Sequence, residues 1–263
     1  MPTMSAGNDD LKNHIIARPS TNCGDRPGDG AGDRKVDILV LHYTGMQSGK
    51  AALDRLCDPT ASVSSHYLVE EDGTIFRLVD EDKRAWHAGR GQWQECDDVN
   101  SNSIGIEIVN PGHEFGYRAF PDIQIDAVIA LCRDILTRHD IRPDRIIAHS
   151  DMAPDRKEDP GELFPWDRLA ANGIGLWPTA DITIMDETCT ETEFDAMLDR
   201  LGYGPNDALK RRIAFQRHWR PADISGKVDG ECAAILRALL DKAGLYLTIR
   251  PPGLAIGTSD NPT

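Results

Sequence analysis

No stretch of this 263-residue chain approaches the roughly 20 apolar residues that a bilayer-spanning helix needs, which argues against an integral membrane protein. Positive charge is also in short supply. Twenty-nine Lys and Arg face 43 Asp and Glu, and the formal net charge of -14 gives a long-range field of the wrong sign for nucleic acid or anionic lipid heads. Neither a nucleic-acid partner nor a membrane partner is expected. The six cysteines, Cys23, Cys57, Cys96, Cys132, Cys189 and Cys232, include no CxxC pair and no small-scaffold spacing, so reduced thiols are predicted rather than a disulfide framework or a cysteine-rich metal site. Residues 1–35 lack the run of about 7 to 15 apolar residues that export requires, since only Ile15 and Ile16 stand together there, and no such run precedes Cys23 to suit a lipid anchor. These absences favour a cytoplasmic location, with the periplasm as the alternative.

What is present alternates between strand-like and helix-like segments. Val36 to Leu41 is apolar and ends in His42; Arg145 to Ala148 is similar and ends in His149; Asp159 follows ten positions later in a loop bounded by Pro and Gly. Two histidines and a carboxylate at strand ends suit a catalytic Zn2+ site, with three protein ligands and a fourth position left for water. From Ser103 to Val109 the period is two, which sets Ile104, Ile106 and Ile108 on one face and Glu107 on the other. A helix is predicted from about Asp122 to His139 by the recurrence of Ile125, Val128, Ile129, Cys132, Ile135 and Leu136 at three and four. Ser48 is the predicted N-cap of a short helix ended by Pro59, and the Asp72-Gly73 step predicts a tight hairpin between segments 65–69 and 74–79.

Five blocks now stand in order: ILVLHYTG (38–45), SSHYLVEEDGTIFRLV (64–79), AWHAG (85–89), NSIGIEIVN (102–110) and the HS…KEDPG…FPW stretch from His149 to Trp166. Together they resemble the zinc-dependent N-acetylmuramoyl-L-alanine amidases of the type-2 amidase and peptidoglycan-recognition-protein superfamily. The resemblance implies His42, His149 and Asp159 as zinc ligands, Glu107 as the acid/base residue and Lys157 as an electrostatic partner of the reacting carbonyl. It implies hydrolysis of the amide between the lactyl group of N-acetylmuramic acid and L-alanine, in peptidoglycan or in 1,6-anhydro-muropeptides. His87, in AWHAG, is expected to contact substrate, and Tyr43 to shape the cleft beside His42. His66 is expected to be structural or cleft-lining.

The expected fold is α/β, a mixed central β-sheet flanked by helices and followed by a small three-helix domain. Its parts are an irregular N-terminal segment (1–35), a catalytic domain (36–177), a linker (178–187), the helical domain (188–250) and a tail (251–263). Thr190 and Glu193 form a capping-box signature, Gly202 a stop, and two further helices are predicted around Leu209 to Phe215 and from about Asp229. AFQRHWRP (214–221) followed by VDG (228–230) resembles a peptidoglycan-binding domain; the competing reading is a helical cap that packs on the catalytic part. A monomer is expected. Two other classes stay open: a peptidoglycan-binding protein without activity, and a zinc hydrolase of another amide.

Overall fold

The computed structural model describes residues 15–27, 35–178 and 188–245. Two three-residue strands come first, β1 (Ile15–Ala17) and β2 (Cys23–Asp25), where the sequence reading expects an irregular segment. Both are made by long-range pairing. Ser20 Oγ donates to the Leu56 carbonyl, and the Arg26 guanidinium donates to the carbonyls of Glu81, Asn100, Ser101 and Ser103, so partners far along the chain hold a stretch with little strand propensity of its own. Of the linker expected at 178–187 only Pro178 is described; residues 246–250 and the tail at 251–263 lie outside the described residues.

Then follow β3 (Ile38–Tyr43), α1 (Gly49–Cys57), β4 (Tyr67–Val69), β5 (Ile75–Arg77), β6 (Lys83–Ala85), α2 (Val99–Asn102), β7 (Ser103–Ile108), α3 (Gly112–Phe115), α4 (Asp122–Arg138), β8 (Ile146–Ala148), α5 (His149–Met152) and α6 (Trp166–Ala171). Ser48 caps α1 through a hydrogen bond from Ala51 N, as predicted. The β4–β5 hairpin also forms, but only Gly73 adopts a positive φ (86°) among its turn residues; Asp72 acts through its carboxylate, which accepts from Thr74 N.

The main sheet runs in the order β1-β5-β4-β7-β3-β8. Strands β4, β7, β3 and β8 are mutually parallel, while β5 and β1 run the other way; β2 and β6 form a separate antiparallel pair. Strand β3 lies inside the sheet, between β7 and the edge strand β8, and is buried on both sides, as expected of parallel sheets covered on two faces. Leu39 and Leu41, with Ile104, Ile106 and Ile108, pack on Ile125, Val128, Ile129, Cys132 and Ile135 of α4.

Ile38, Val40 and Ile147 point the other way. There they meet Phe194 and Leu198 of α7 (Glu191–Leu201), Phe215 and Trp219 of α8 (Ala208–Trp219), and Ile235 and Leu236 of α9 (Gly230–Lys242) in one continuous cluster. The capping box of Thr190 and Glu193 and the Gly202 stop are as the sequence predicts, and the last helix starts where expected, with Asp229 as its N-cap. The three C-terminal helices therefore share a core with the sheet. Within α8 the string AFQRHW is buried from Ala214 to Trp219, while Leu209 near its start is exposed. All six cysteines are free.

Candidate active site

The parallel register pairs His42 on β3 directly with Glu107 on β7, so the two side chains leave the same face of the sheet one strand apart. On the other side of β3, Ala148 of β8 pairs with Leu41, and the next residue, His149, opens α5. Three neighbouring parallel strands thus deliver three groups at their C-terminal ends. Asp159 returns to them because the chain curls after α5: Lys157 N donates to Ala153 O, and Ser150 N donates to Asp159 O at 3.0 Å. Lys157 and Asp159, two residues apart in this curled segment, both line the same cleft.

At the cleft floor, His42 Nδ1 lies 2.8 Å from His149 Nδ1, and Asp159 Oδ2 lies 3.0 Å from the first and 2.9 Å from the second. All three residues are buried. His149 Nε2 is 2.9 Å from the Ala88 carbonyl, which can only accept, so the neutral ring carries its hydrogen on Nε2 and turns a lone pair inward from Nδ1. A carboxylate oxygen and imidazole nitrogens converging on one point form a set of ligand atoms. This donor set of two imidazoles and one carboxylate suits a divalent zinc-like ion, and among the described residues it is the cluster able to hold a metal.

Electrostatics supports the same view. Burial, reinforced by the neighbouring His149, pushes the His42 imidazole down to about 4 and keeps it neutral, the form a metal ligand needs. Burial alone would raise the Asp159 carboxyl, but His149 and His42 outweigh it and hold it well below the usual carboxylate range. Glu107 is the opposite case: burial, and then the negative charge of Asp159, raise it well above that range, and its Oε2 is buried without a hydrogen-bond partner.

The cleft has a volume of about 1060 Å³. Lys157 and Glu107 line it; the Lys157 ammonium has no ion pair among the described residues. Tyr43 lines it as well, its hydroxyl 3.0 Å from His113 Nδ1, and Gly112 is glycine because its φ is +68° and a Cβ would press on the Tyr43 ring. His87 reaches the cleft wall, but both of its ring nitrogens are committed to protein: Nδ1 is 3.0 Å from His42 Nε2 and Nε2 is 3.2 Å from Ser103 Oγ. His66 is structural, its Nδ1 accepting from Gly105 N.

Sequence reasoning missed the far wall. Lys210, Ile213, Arg217 and Ile224 from the C-terminal part line the cleft, and Arg217 pairs with Glu158 and Glu162 across it. It also missed Asp151, two residues after His149, whose buried carboxylate accepts from Ala148 N, Tyr203 Oη and His218 Nδ1 at 2.7 to 2.8 Å. The only sequence signal for it is its offset from His149.

With this geometry in view, known proteins can be set beside it. The N-acetylmuramoyl-L-alanine amidase AmiD of Escherichia coli (strain K12) is 38% identical over 235 residues, 80% of this chain and 84% of that one. The 1,6-anhydro-N-acetylmuramyl-L-alanine amidase AmpD of the same strain is 40% identical over 154 residues, 52% of this chain and 82% of that one. Among solved structures, AmiD in complex with anhydro-N-acetylmuramic acid-L-Ala-D-gamma-Glu-L-Lys superposes with a TM-score of 0.74 at 36% identity, covering 84% of this chain and 95% of that chain. AmpDh3 of Pseudomonas aeruginosa gives 0.73 at 34%, covering 82% and 95%. The sequence profile described as N-acetylmuramoyl-L-alanine amidase matches residues 32–162, and with AmiD aligned over most of its length, this chain belongs to that amidase family.

Proposed function

We propose that this protein is a zinc-dependent amidase that cleaves the bond between the lactyl group of N-acetylmuramic acid and L-alanine, with soluble 1,6-anhydro-muropeptides as its substrate class. The observation that carries the reading is the convergence of His42 Nδ1, His149 Nδ1 and Asp159 Oδ2 within 3.0 Å of one another at the floor of the cleft. The substrate class is supported by the AmpD relatives and by the anhydro-muramyl peptide bound to AmiD.

His42, His149 and Asp159 would hold the zinc ion, which would supply the Lewis acidity that makes water a nucleophile near neutral pH. The remaining work falls to the chain. Glu107, adjacent to His42 and raised well above an ordinary carboxylate, takes the proton from the attacking water and returns it to the leaving nitrogen, which departs poorly as an amide anion. The buried, unpartnered Oε2 marks a carboxylate with no structural hydrogen bond to hold it back from that role. Lys157 faces the cleft without an ion pair among the described residues and stabilises charge developing on the carbonyl oxygen, an effect worth about 3 to 4 kcal/mol for a preorganised donor. Tyr43 and the far wall from α8 orient the substrate.

The C-terminal helices enter this proposal as a cleft wall. AFQRHWRP carries the likeness to peptidoglycan-binding domains, but Phe215, Gln216, His218 and Trp219 are buried, so polymer binding through this string would require another surface of the unit. Lys210, Ile213 and Arg217 are placed to meet the glycan or stem peptide of a substrate in the cleft. The test is turnover of purified anhydro-muropeptide against intact sacculi, before and after metal removal. Release of free stem peptide from the soluble substrate, abolished by chelation and restored by about one zinc per chain, is expected; unchanged activity after complete metal removal overturns the reading.

A further inference from the structure

We propose that His87 and Ser103 form a positioning relay that holds the His42 ring with Nδ1 turned to the ion, and thereby set how tightly the site binds metal; this rests on the zinc reading above. The direction of the relay is dictated from its far end. The Val99 carbonyl can only accept, and Ser103 Oγ lies 2.5 Å from it, so the serine hydroxyl donates there. The serine oxygen then offers a lone pair to His87 Nε2, 3.2 Å away, which must carry the ring hydrogen. A neutral imidazole with hydrogen on Nε2 has its lone pair on Nδ1, and that atom is 3.0 Å from His42 Nε2. His42 therefore carries its hydrogen on Nε2 and presents a lone pair from Nδ1 toward His149 and Asp159. One backbone carbonyl fixes the tautomers of two histidines in series.

The His87 ring has no room to abandon this pose. A Cβ on Gly105 of β7 would overlap the ring, so the glycine at that position makes space for it. The Asn100 side-chain oxygen accepts from the amides of both His87 and Ala88, at 3.1 and 2.9 Å. Ala88 in turn supplies the carbonyl that takes the hydrogen of His149 Nε2. Two consecutive residues thus support both imidazole ligands, one through a side chain and the other through the backbone. Hydrogen-bonded partners of this kind fix ring orientation and raise ligand basicity, and their loss costs about 10- to 100-fold in metal affinity.

The test measures zinc affinity of the full-length protein by chelator competition, with metal-free thermal stability followed alongside. His87→Leu removes the acceptor, and His87→Gln places its polar end near the Nε2 position only; both are expected to weaken zinc binding about 10- to 100-fold. His87→Asn restores an acceptor where Nδ1 sits and is expected to recover affinity to within about threefold. A purely structural histidine would lower the melting temperature in all three variants and leave zinc affinity unchanged, an outcome that overturns the proposal. Should His87→Leu fail to fold, Ser103→Ala and nitrogen-15 NMR of the unsubstituted zinc-loaded protein decide the matter. Ser103→Ala is expected to weaken zinc several-fold, and the spectra to place hydrogen on Nε2 of both His42 and His87; hydrogen on Nδ1 of His87 refutes the relay. Failure of the zinc reading itself would look different, because the wild-type protein would then hold no stoichiometric zinc.

Discussion

The two faces of the central sheet are covered by different chemistry. Against α4 the contacts are mostly aliphatic, with Leu39, Leu41 and the three isoleucines of β7 meeting Ile125, Val128, Ile129 and Ile135, and with Gln124 as a buried polar exception that donates to the Val69 and Val109 carbonyls. Against α7, α8 and α9 an apolar cluster is also present, but charged and polar groups are buried beside it: Asp151 bonded to Tyr203 and His218, Gln216, and Arg217 against Glu162. Aliphatic packing tolerates exchange of shape and is roughly proportional to area. Buried hydrogen-bonded groups have one arrangement that satisfies them and large penalties otherwise. The first face supplies stability, whereas the second supplies position, and every proposed ligand and proton carrier lies on the second.

Substitutions on each face sharpen this contrast. The largest expected effect is at Glu107: Glu107→Gln should keep fold and zinc but lower turnover by about 100-fold or more, measured as release of stem peptide from anhydro-muropeptide. Its pH profile should differ too. Because burial and Asp159 raise the Glu107 carboxyl, wild-type activity should fall on acidification at a pH above the ordinary carboxylate range, and the Gln variant should lack that limb. Near-normal turnover by this variant would remove Glu107 from the chemistry.

Next comes Ile135→Ala on α4, fully buried on the aliphatic face. A loss of about 2 to 5 kcal/mol is expected in denaturant unfolding, with zinc affinity unchanged. Asp151→Asn should cost less stability, about 1 to 3 kcal/mol, yet weaken zinc, because it disturbs the bond to Ala148 N immediately before His149. If Ile135→Ala weakens zinc as much as Asp151→Asn does, the division of labour between the faces is wrong.

The smallest effect concerns Glu162, which His113 in the first place, against burial, and then Arg217 hold down to about 2. A carboxyl depressed in the folded state contributes stability above its unfolded value near 4.3, and this contribution is lost as pH falls from there toward 2. Glu162→Gln should therefore melt a few degrees below wild type at pH 7, a modest difference for a part-exposed pair, and the gap should close by about pH 2.

The aliphatic face was the legible one. The period of two in Ser103–Val109 and the three-and-four spacing of α4 report burial directly, and the capping residues Ser48, Thr190 and Asp229 mark their helix starts through local hydrogen bonds. The cluster of His42, His149 and Asp159 could be suspected because His42 and His149 end apolar runs. Strands β1 and β2 could not be read, since three residues carry no period and their partners lie far along the chain. Nor could the polar side of α8: Arg211, Arg212 and Arg217 look like a solvated face until Asp195, Asp199 and Glu162 are brought against them. The AWHAG block points His87 toward substrate, and nothing in the sequence reveals that His42 and Ser103 occupy both of its nitrogens.

The inward lone pairs at the cleft floor also tie the lifetime of the fold to the composition of its surroundings. Three ligand-type atoms lie within 3.0 Å of one another there, and a cation held between them as proposed would turn their mutual repulsion into attraction. An ion that binds only the folded chain adds about 1.4 kcal/mol of stability for each tenfold rise in its free concentration above the dissociation constant. Protons compete with it, since a charged imidazole cannot serve as a ligand. On the proposed zinc reading, free metal and acidity would thus act as opposing controls on how long each copy of the protein persists.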